Sequence, residues 1–209
     1  VAGEAAGLEV IPGVELSAEI GDERMHILGY FIDWKDKNFW DRLAEIEQGR
    51  RDRAKRILEK LKEHGMELSI EDLFSISGEG SVGRLHIAQL LLKKGFISSI
   101  QEAFMKYIGN DGPCYAKNLK ISPKEAIEMI KAVGGVSVLA HPSTIDSRDK
   151  SIEDIITVLL GHVLQGIEIY HPDHTSRDEG IFRDIAEMHN LLITGGSDCH
   201  GLEGKGILI

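Results

Sequence analysis

Four short segments carry residues whose types and spacing could do chemistry together. Glu15 lies in Ile11-Pro12-Gly13-Val14-Glu15-Leu16-Ser17. A carboxylate between Val14 and Leu16 is costly to bury unless it is paired or bound to a metal. The plain alternative is a Glu on the outward face of an edge strand. His26 opens the apolar run His26-Ile27-Leu28-Gly29-Tyr30, where a surface or hydrogen-bonded role is the competing reading. His141 follows a strand-like run in Leu139-Ala140-His141-Pro142, and the proline after it stops the strand and fixes the backbone that presents the imidazole. In Gly196-Ser197-Asp198-Cys199-His200-Gly201, Asp198 and His200 stand two apart, so in extended backbone both project to one side and can reach one metal or two adjacent ones. A polar loop after a strand is the alternative there.

Oxygen and imidazole donors without thiolates suit Mn²⁺, Zn²⁺ or Fe²⁺, and this many of them suggest more than one ion. A mononuclear iron site needs only two His and one carboxylate, which the five candidates Glu15, His26, His141, Asp198 and His200 exceed. Such a cluster lowers the pKa of a bridging water and clamps both the attacking and the leaving oxygen of a phosphate ester. Glu15 is the natural bridge, and Glu15, His141 and Asp198 are the expected catalytic centre. Tyr170-His171-Pro172-Asp173-His174 adds two more imidazoles, one of them suited to substrate phosphate, against the alternative that His171 or His174 caps the helix beginning near Ser176. His64 and His189 fall at helix C-termini, where an imidazole meets the helix dipole favourably, and His162 lies in a connection.

The elements that must position these residues can be read from periodicity. Val1 to Gly7 reads as the last turns of a helix, so a segment is expected to precede it. Leu8 to Ile11, Val14 to Ile20 and Met25 to Ile32 read as three short strands. Leu43, Ile46, Ala54, Ile57, Leu58 and Leu61 then recur at helical spacing up to Gly65, giving one long amphipathic helix. Shorter helices are expected near Ile70 to Phe74, from Leu85 to Lys94 and from Ile100 to Tyr107, before Gly109 to Pro113 breaks the chain. Helix and strand then alternate: helix from Ser122-Pro123 to Ala132, strand Val136 to Leu139, helix Ser151 to Leu160, strand Ile167 to Tyr170, helix Ser176 to His189, strand Leu191 to Thr194. That alternation means a parallel sheet or barrel, with active-site residues gathered at the carboxyl ends of its strands. The all-helical stretch 36–120 reads as an inserted domain within a core made of 1–35 and 121–209.

Composition narrows the class. The 209 residues are 42% hydrophobic and 28% charged, which suits an ordinary globular protein with a substantial core. A formal charge of −10 argues against strong binding of duplex nucleic acid, because that relies on clustered Lys and Arg. A bound cation cluster would reverse the sign locally. Cys114 and Cys199 match no paired zinc spacing and read as reduced thiols of a cytoplasmic protein, with one disulfide as the alternative. No apolar run approaches the roughly 20 residues that cross a bilayer.

At the segments quoted, with Ile169-Tyr170-His171-Pro172, the sequence resembles the polymerase and histidinol phosphatase (PHP) superfamily, and within it the nucleotide phosphoesterases with a helical insertion. The resemblance implies an α/β fold, a distorted seven-stranded (βα) barrel of the TIM type. It also implies two or three divalent metal ions, with Glu15 bridging and His26, His141, Asp198 and His200 as ligands. The family's opening strands, bearing His-x-His and a nearby Asp, have no counterpart after Val1, so the chain is expected to hold only part of the site. Gly83-Arg84-Leu85-His86-Ile87-Ala88 is similar to the segment that faces the cleft, which implies that Arg84 pairs with substrate phosphate beside His86. A helix start with a solvated Arg84 and a half-buried His86 is the alternative. The implied reaction is hydrolysis of a phosphate monoester on a nucleotide, such as a 3′,5′-nucleoside bisphosphate, or stepwise trimming of a short oligonucleotide. Three other readings stay open: a histidinol-phosphate-type phosphatase, a metal-dependent amidohydrolase, and a degenerate barrel kept as a binding or scaffold module.

Overall fold

The computed structural model describes residues 2–21, 23–77, 82–117, 121–145 and 150–199. A short helix, α1 (Ala2–Ala5), precedes two antiparallel strands, β1 (Gly13–Ile20) and β2 (Glu23–Tyr30). Helices follow: α2 (Lys37–Glu63), α3 (Ile70–Ser77), α4 (Arg84–Lys93) and α5 (Ile100–Ala103), which runs into a π-helical turn at Phe104–Ile108. Then come α6 (Pro123–Ala132), β3 (Val136–Leu139), α7 (Ile152–Leu160), β4 (Gly166–Tyr170), α8 (Ser176–His189) and β5 (Leu192–Gly195). The chain divides into two compact units, one made of 1–39 and 120–209, the other of 40–119.

The first unit is a mixed α/β structure around a five-stranded sheet of order β1-β2-β3-β4-β5. The pairs β1-β2 and β2-β3 are antiparallel, whereas β3-β4 and β4-β5 are parallel. Alternation along β2 separates the two faces. Met25, Ile27 and Gly29 are buried, and a Cβ placed on Gly29 would lie 2.8 Å from Ile130 of α6. Gly29 is therefore where α6 approaches the sheet most closely, and His26, Leu28 and Tyr30 must face the other way. The register carries that second face across the sheet, placing Glu15 and Ser17 of β1 and Gly166 and Glu168 of β4 on it with His26.

The helices begin where the sequence supplies caps. The Ser122 side chain accepts from the Glu125 backbone N–H with Pro123 in the first turn, and Ser151 and Thr175 form capping boxes with Asp154 and Asp178. Ile127 and Ile130 of α6 are almost fully buried, each worth about 1.5–3 kcal/mol of apolar burial. The helical unit has its own aliphatic core of Ile57, Leu61, Leu73, Ile87, Leu90, Leu91 and Ile108. Arg53, Arg56 and Lys60, on one side of α2, donate to the carbonyls of Ala116, Lys117 and Tyr115 and hold that extended segment to the helix.

Two expectations differ from the structure. Leu8 to Ile11 is not a strand: it finds no ladder partner among the described residues, and Leu8 and Val10 are 67% and 65% exposed. The helix expected from Ile100 to Tyr107 is α-helical for four residues only and widens into the π turn. The described strands form one five-stranded sheet with β1 and β5 at the two ends of its order. Among the described residues, no helix is long and apolar enough to cross a membrane.

Candidate metal site

Pairing of β1 with β2 sets Ser17 opposite His26 and Glu15 opposite Leu28, so Glu15 and His26 are diagonal neighbours on one face. Their side chains meet, with Glu15 Oε1 at 2.6 Å from His26 Nδ1. His141 arrives from the end of β3. Ala140 still donates to the His26 carbonyl, and the chain then turns at His141, whose φ of +25° lies outside the ordinary strand range. That turn places His141 Nε2 at 3.4 Å from Glu15 Oε1 and 3.2 Å from His26 Nδ1. The three donor atoms lie within 4.8 Å of one another and can hold a metal ion. Glu15 and His26 thus sit inside strands on a sheet face, whereas sequence alone put the ligands at strand ends.

The electrostatics match a cation site. Hydrogen bonding to His141, then to His26, holds the Glu15 carboxyl far below the usual carboxylate range, against the effect of burial. The His141 imidazole is pushed up, chiefly by its hydrogen bond to Glu15 and despite desolvation, with the charges of Glu168 and Asp198 adding to the shift. Three carboxylates therefore act on one imidazole. Oxygen and nitrogen donors in a setting that favours positive charge suit a divalent metal.

Two residues at this site escaped the sequence reasoning. Glu168 is buried in the centre of β4, and its Oε2 accepts the His141 backbone N–H at 2.7 Å. An acidic residue inside the apolar run Gly166-Ile167-Glu168-Ile169-Tyr170 was the available signal, since a buried carboxylate needs a partner. Thr144, at the end of the 3₁₀ turn Pro142–Thr144, lies with its hydroxyl 2.7 Å from His141 Nδ1.

His171 and His174 continue the cluster as a row of imidazoles. Ring centroids are 5.1 Å apart for His26 and His141, 5.3 Å for His141 and His171, and 5.3 Å for His171 and His174. His171 Nδ1 accepts the Asp173 backbone N–H, and His174 Nδ1–H donates to the Ile169 carbonyl. The Nε2 atom of each is buried with no protein partner. Neither ring caps α8; Thr175 does. Asp198 is exposed after β5 with φ of +46°. His200 lies outside the described residues.

Arg84 and His86 belong to the helical unit. Arg84 Nη1 donates to the Ile108 carbonyl and to Asn110 Oδ1, and its guanidinium lies over the rings of Phe104 and Tyr115 at 5.6 and 5.8 Å. His86 Nδ1 accepts the Gly83 backbone N–H at the start of α4, so that ring takes part in a helix cap. Cys114 is buried and Cys199 exposed, both as free thiols.

Fold and site define an α/β protein with a carboxylate–imidazole metal site on a sheet face. Comparison with known proteins makes the class specific. No protein-family profile matches the chain. It is 28% identical over 193 residues to the 5′-3′ exoribonuclease Rnm of Escherichia coli, covering 92% of the chain and 66% of that protein. It is 29% identical over 195 residues to a 3′,5′-nucleoside bisphosphate phosphatase of Chromobacterium violaceum, covering 93% and 68%. Two solved structures share the fold. One, an amidohydrolase from Chromobacterium violaceum with bound sulfate and no metal, gives a TM-score of 0.82 at 28% identity, over 95% of this chain and 70% of the other. The second, assigned as a metal-dependent phosphoesterase from Bifidobacterium adolescentis, gives 0.80 at 29%, over 96% and 71%. These relatives are PHP-family proteins, in agreement with the resemblance read from the sequence. It spans about two thirds of the length of the exoribonuclease it matches.

Proposed function

We propose that the protein is a metal-dependent phosphoesterase that hydrolyses phosphate monoesters on nucleotides, such as 3′,5′-nucleoside bisphosphates, or trims short RNA from its 5′ end. The observation that carries this is the convergence of Glu15, His26 and His141 donor atoms within 4.8 Å on one sheet face. The names of the exoribonuclease and the bisphosphate phosphatase supply the substrate class. On this reading the five strands are part of a distorted seven-stranded (βα) barrel, with residues 36–120 as a helical insertion.

Glu15, His26 and His141, joined by Asp198 and His200, would hold two or three divalent ions, Mn²⁺, Zn²⁺ or Fe²⁺. Such ions supply an activated water and charge stabilisation at phosphorus. The chain's own residues do the rest. Glu15 would supply the carboxylate ligand, and His141 is oriented by its backbone and ring contacts. His171, whose Nδ1 accepts and whose Nε2 therefore carries hydrogen, would donate to a nonbridging phosphate oxygen, and His174 would do so as an imidazolium. Arg84 presents a fork of donors suited to phosphate, with His86 beside it on the first turn of α4.

The test is release of inorganic phosphate or mononucleotides by the Mn²⁺-loaded protein from 3′,5′-bisphosphates, nucleoside monophosphates and 5′-phosphorylated oligoribonucleotides. Activity that EDTA abolishes and Mn²⁺ restores is the expected result. Absence of turnover on the whole panel would overturn the reading. A second reading, metal-dependent amide hydrolysis, is favoured by the name of one solved relative. Amine release without phosphate from a mixed panel would establish it instead.

A further inference from the structure

His141 is held at two points by groups that do not belong to the ligand set, and both contacts have chemical direction. The Thr144 hydroxyl is 2.9 Å from the His141 carbonyl, to which it donates, and 2.7 Å from His141 Nδ1. A hydroxyl has one proton. With that proton committed to the carbonyl, the Thr144 oxygen is an acceptor and Nδ1 must carry hydrogen. The neutral ring with Nδ1–H offers its Nε2 lone pair to a metal beside Glu15 and His26, in competition with the other tautomer, whose Nε2–H donates to Glu15. The second point is the backbone. Glu168 Oε2 accepts the His141 N–H, which fixes the peptide at the residue where φ turns positive. Its other oxygen, Oε1, would lie 2.8 Å from a Cβ built on Gly196, so the same carboxylate occupies the space beside the segment that leads to Asp198.

We propose that Thr144 and Glu168 are positioning residues for the metal site: Thr144 selects the Nδ1–H tautomer of His141, and Glu168 fixes the His141 peptide while bracing the chain that carries Asp198. This rests on the metal-site reading given above. Partners of this kind typically change metal affinity 10–100-fold when removed. The close sequence spacing, His141-Pro142-Ser143-Thr144 in one 3₁₀ turn, lets a single hydroxyl serve both the carbonyl and the ring of the ligand.

The experiment combines imidazole ¹H–¹⁵N spectra of the metal-free protein at alkaline pH, where the ring is neutral, with Mn²⁺ titration by calorimetry. Thr144→Val is expected to lose the Nδ1–H preference of His141 and to weaken Mn²⁺ binding about 10–100-fold, while Thr144→Ser restores both. Glu168→Gln keeps the side-chain shape and removes the charge. It is expected to leave the tautomer in place and weaken binding about tenfold. A Thr144→Val protein that keeps the Nδ1–H tautomer and wild-type affinity would overturn the Thr144 role, and unchanged affinity in Glu168→Gln would overturn that of Glu168. Failure of the wild type to bind Mn²⁺ would instead defeat the metal-site reading. The tautomer comparison would still decide whether Thr144 orients the ring.

Discussion

In the helical unit the buried set is aliphatic, with Leu61, Leu73, Ile87 and Leu91 meeting among α2, α3 and α4 while charged residues stay outside. In the sheet unit one face is packed in the same way under α6, but the opposite face gathers Glu15, His26, His141, Glu168 and His171. Among the described residues, every buried side-chain nitrogen or oxygen without a partner belongs to the sheet unit, including Ser137 Oγ and the Nε2 atoms of His171 and His174. Burying polar groups unpaired costs roughly 1–3 kcal/mol each. The contrast teaches that the helical unit buries apolar side chains for stability, whereas the sheet unit bears the cost of buried donors and acceptors that the proposed ligands would satisfy.

That division can be broken or sharpened by substitution. Glu15→Gln should have the largest effect, lowering Mn²⁺ affinity on the order of 10³-fold, about 4 kcal/mol, with the apo melting temperature close to wild type. A titration showing near-normal affinity would remove Glu15 from the site. Leu91→Ala empties a fully buried position of the helical core and should cost about 2–5 kcal/mol in denaturant unfolding. Its Mn²⁺ affinity should stay at the wild-type value; a matching loss would show that the two units are not separate in function.

Gly29→Ala addresses the packed face of the sheet. The new methyl would meet Ile130 at 2.8 Å, and overpacking of this kind costs about 1–3 kcal/mol. Ile130→Ala, which removes both contacting Cγ atoms, should cost less in that protein than in the wild type, and an equal cost would locate the clash elsewhere. The smallest effect is expected for Thr175→Ala, which removes the cap of α8 next to His174 for about 1 kcal/mol. Chemical denaturation should detect it with Mn²⁺ affinity unchanged.

The sequence was most informative where local chemistry decides structure. Ser122-Pro123 and the serine before Ile152 mark helix starts because their side chains satisfy N–H groups within the next turn, a contact that spans three residues. Val136 to Leu139 reads as a buried strand because nothing polar interrupts it except Ser137. Leu8 to Ile11 shows the same apolar signature, yet a strand also requires a ladder partner, which is information no local window contains. The three ligands of the cluster were legible as residue types, but not their geometry. Glu15 and His26 meet through antiparallel register, and His141 joins them from 115 residues further along the chain. Glu168 was hidden in an apolar strand whose orientation only the sheet reveals. Thr144 looked like an ordinary loop residue because its value lies in the direction of one proton.

The pairing of β2 with β3 has a consequence for how the chain acquires its structure. Ile27 bonds across the ladder to Leu139, so the central seam of the sheet cannot close until the whole helical stretch between them has been made. The helical unit consists mostly of contacts between successive elements, the kind that form early and quickly. During synthesis from the N-terminus, the edge of β2 that pairs with β3 therefore stays open until residues 136–139 have emerged. The Glu15, His26 and His141 cluster assembles only once His141 has emerged and docked, so a metal held there would be bound late in the life of the nascent chain.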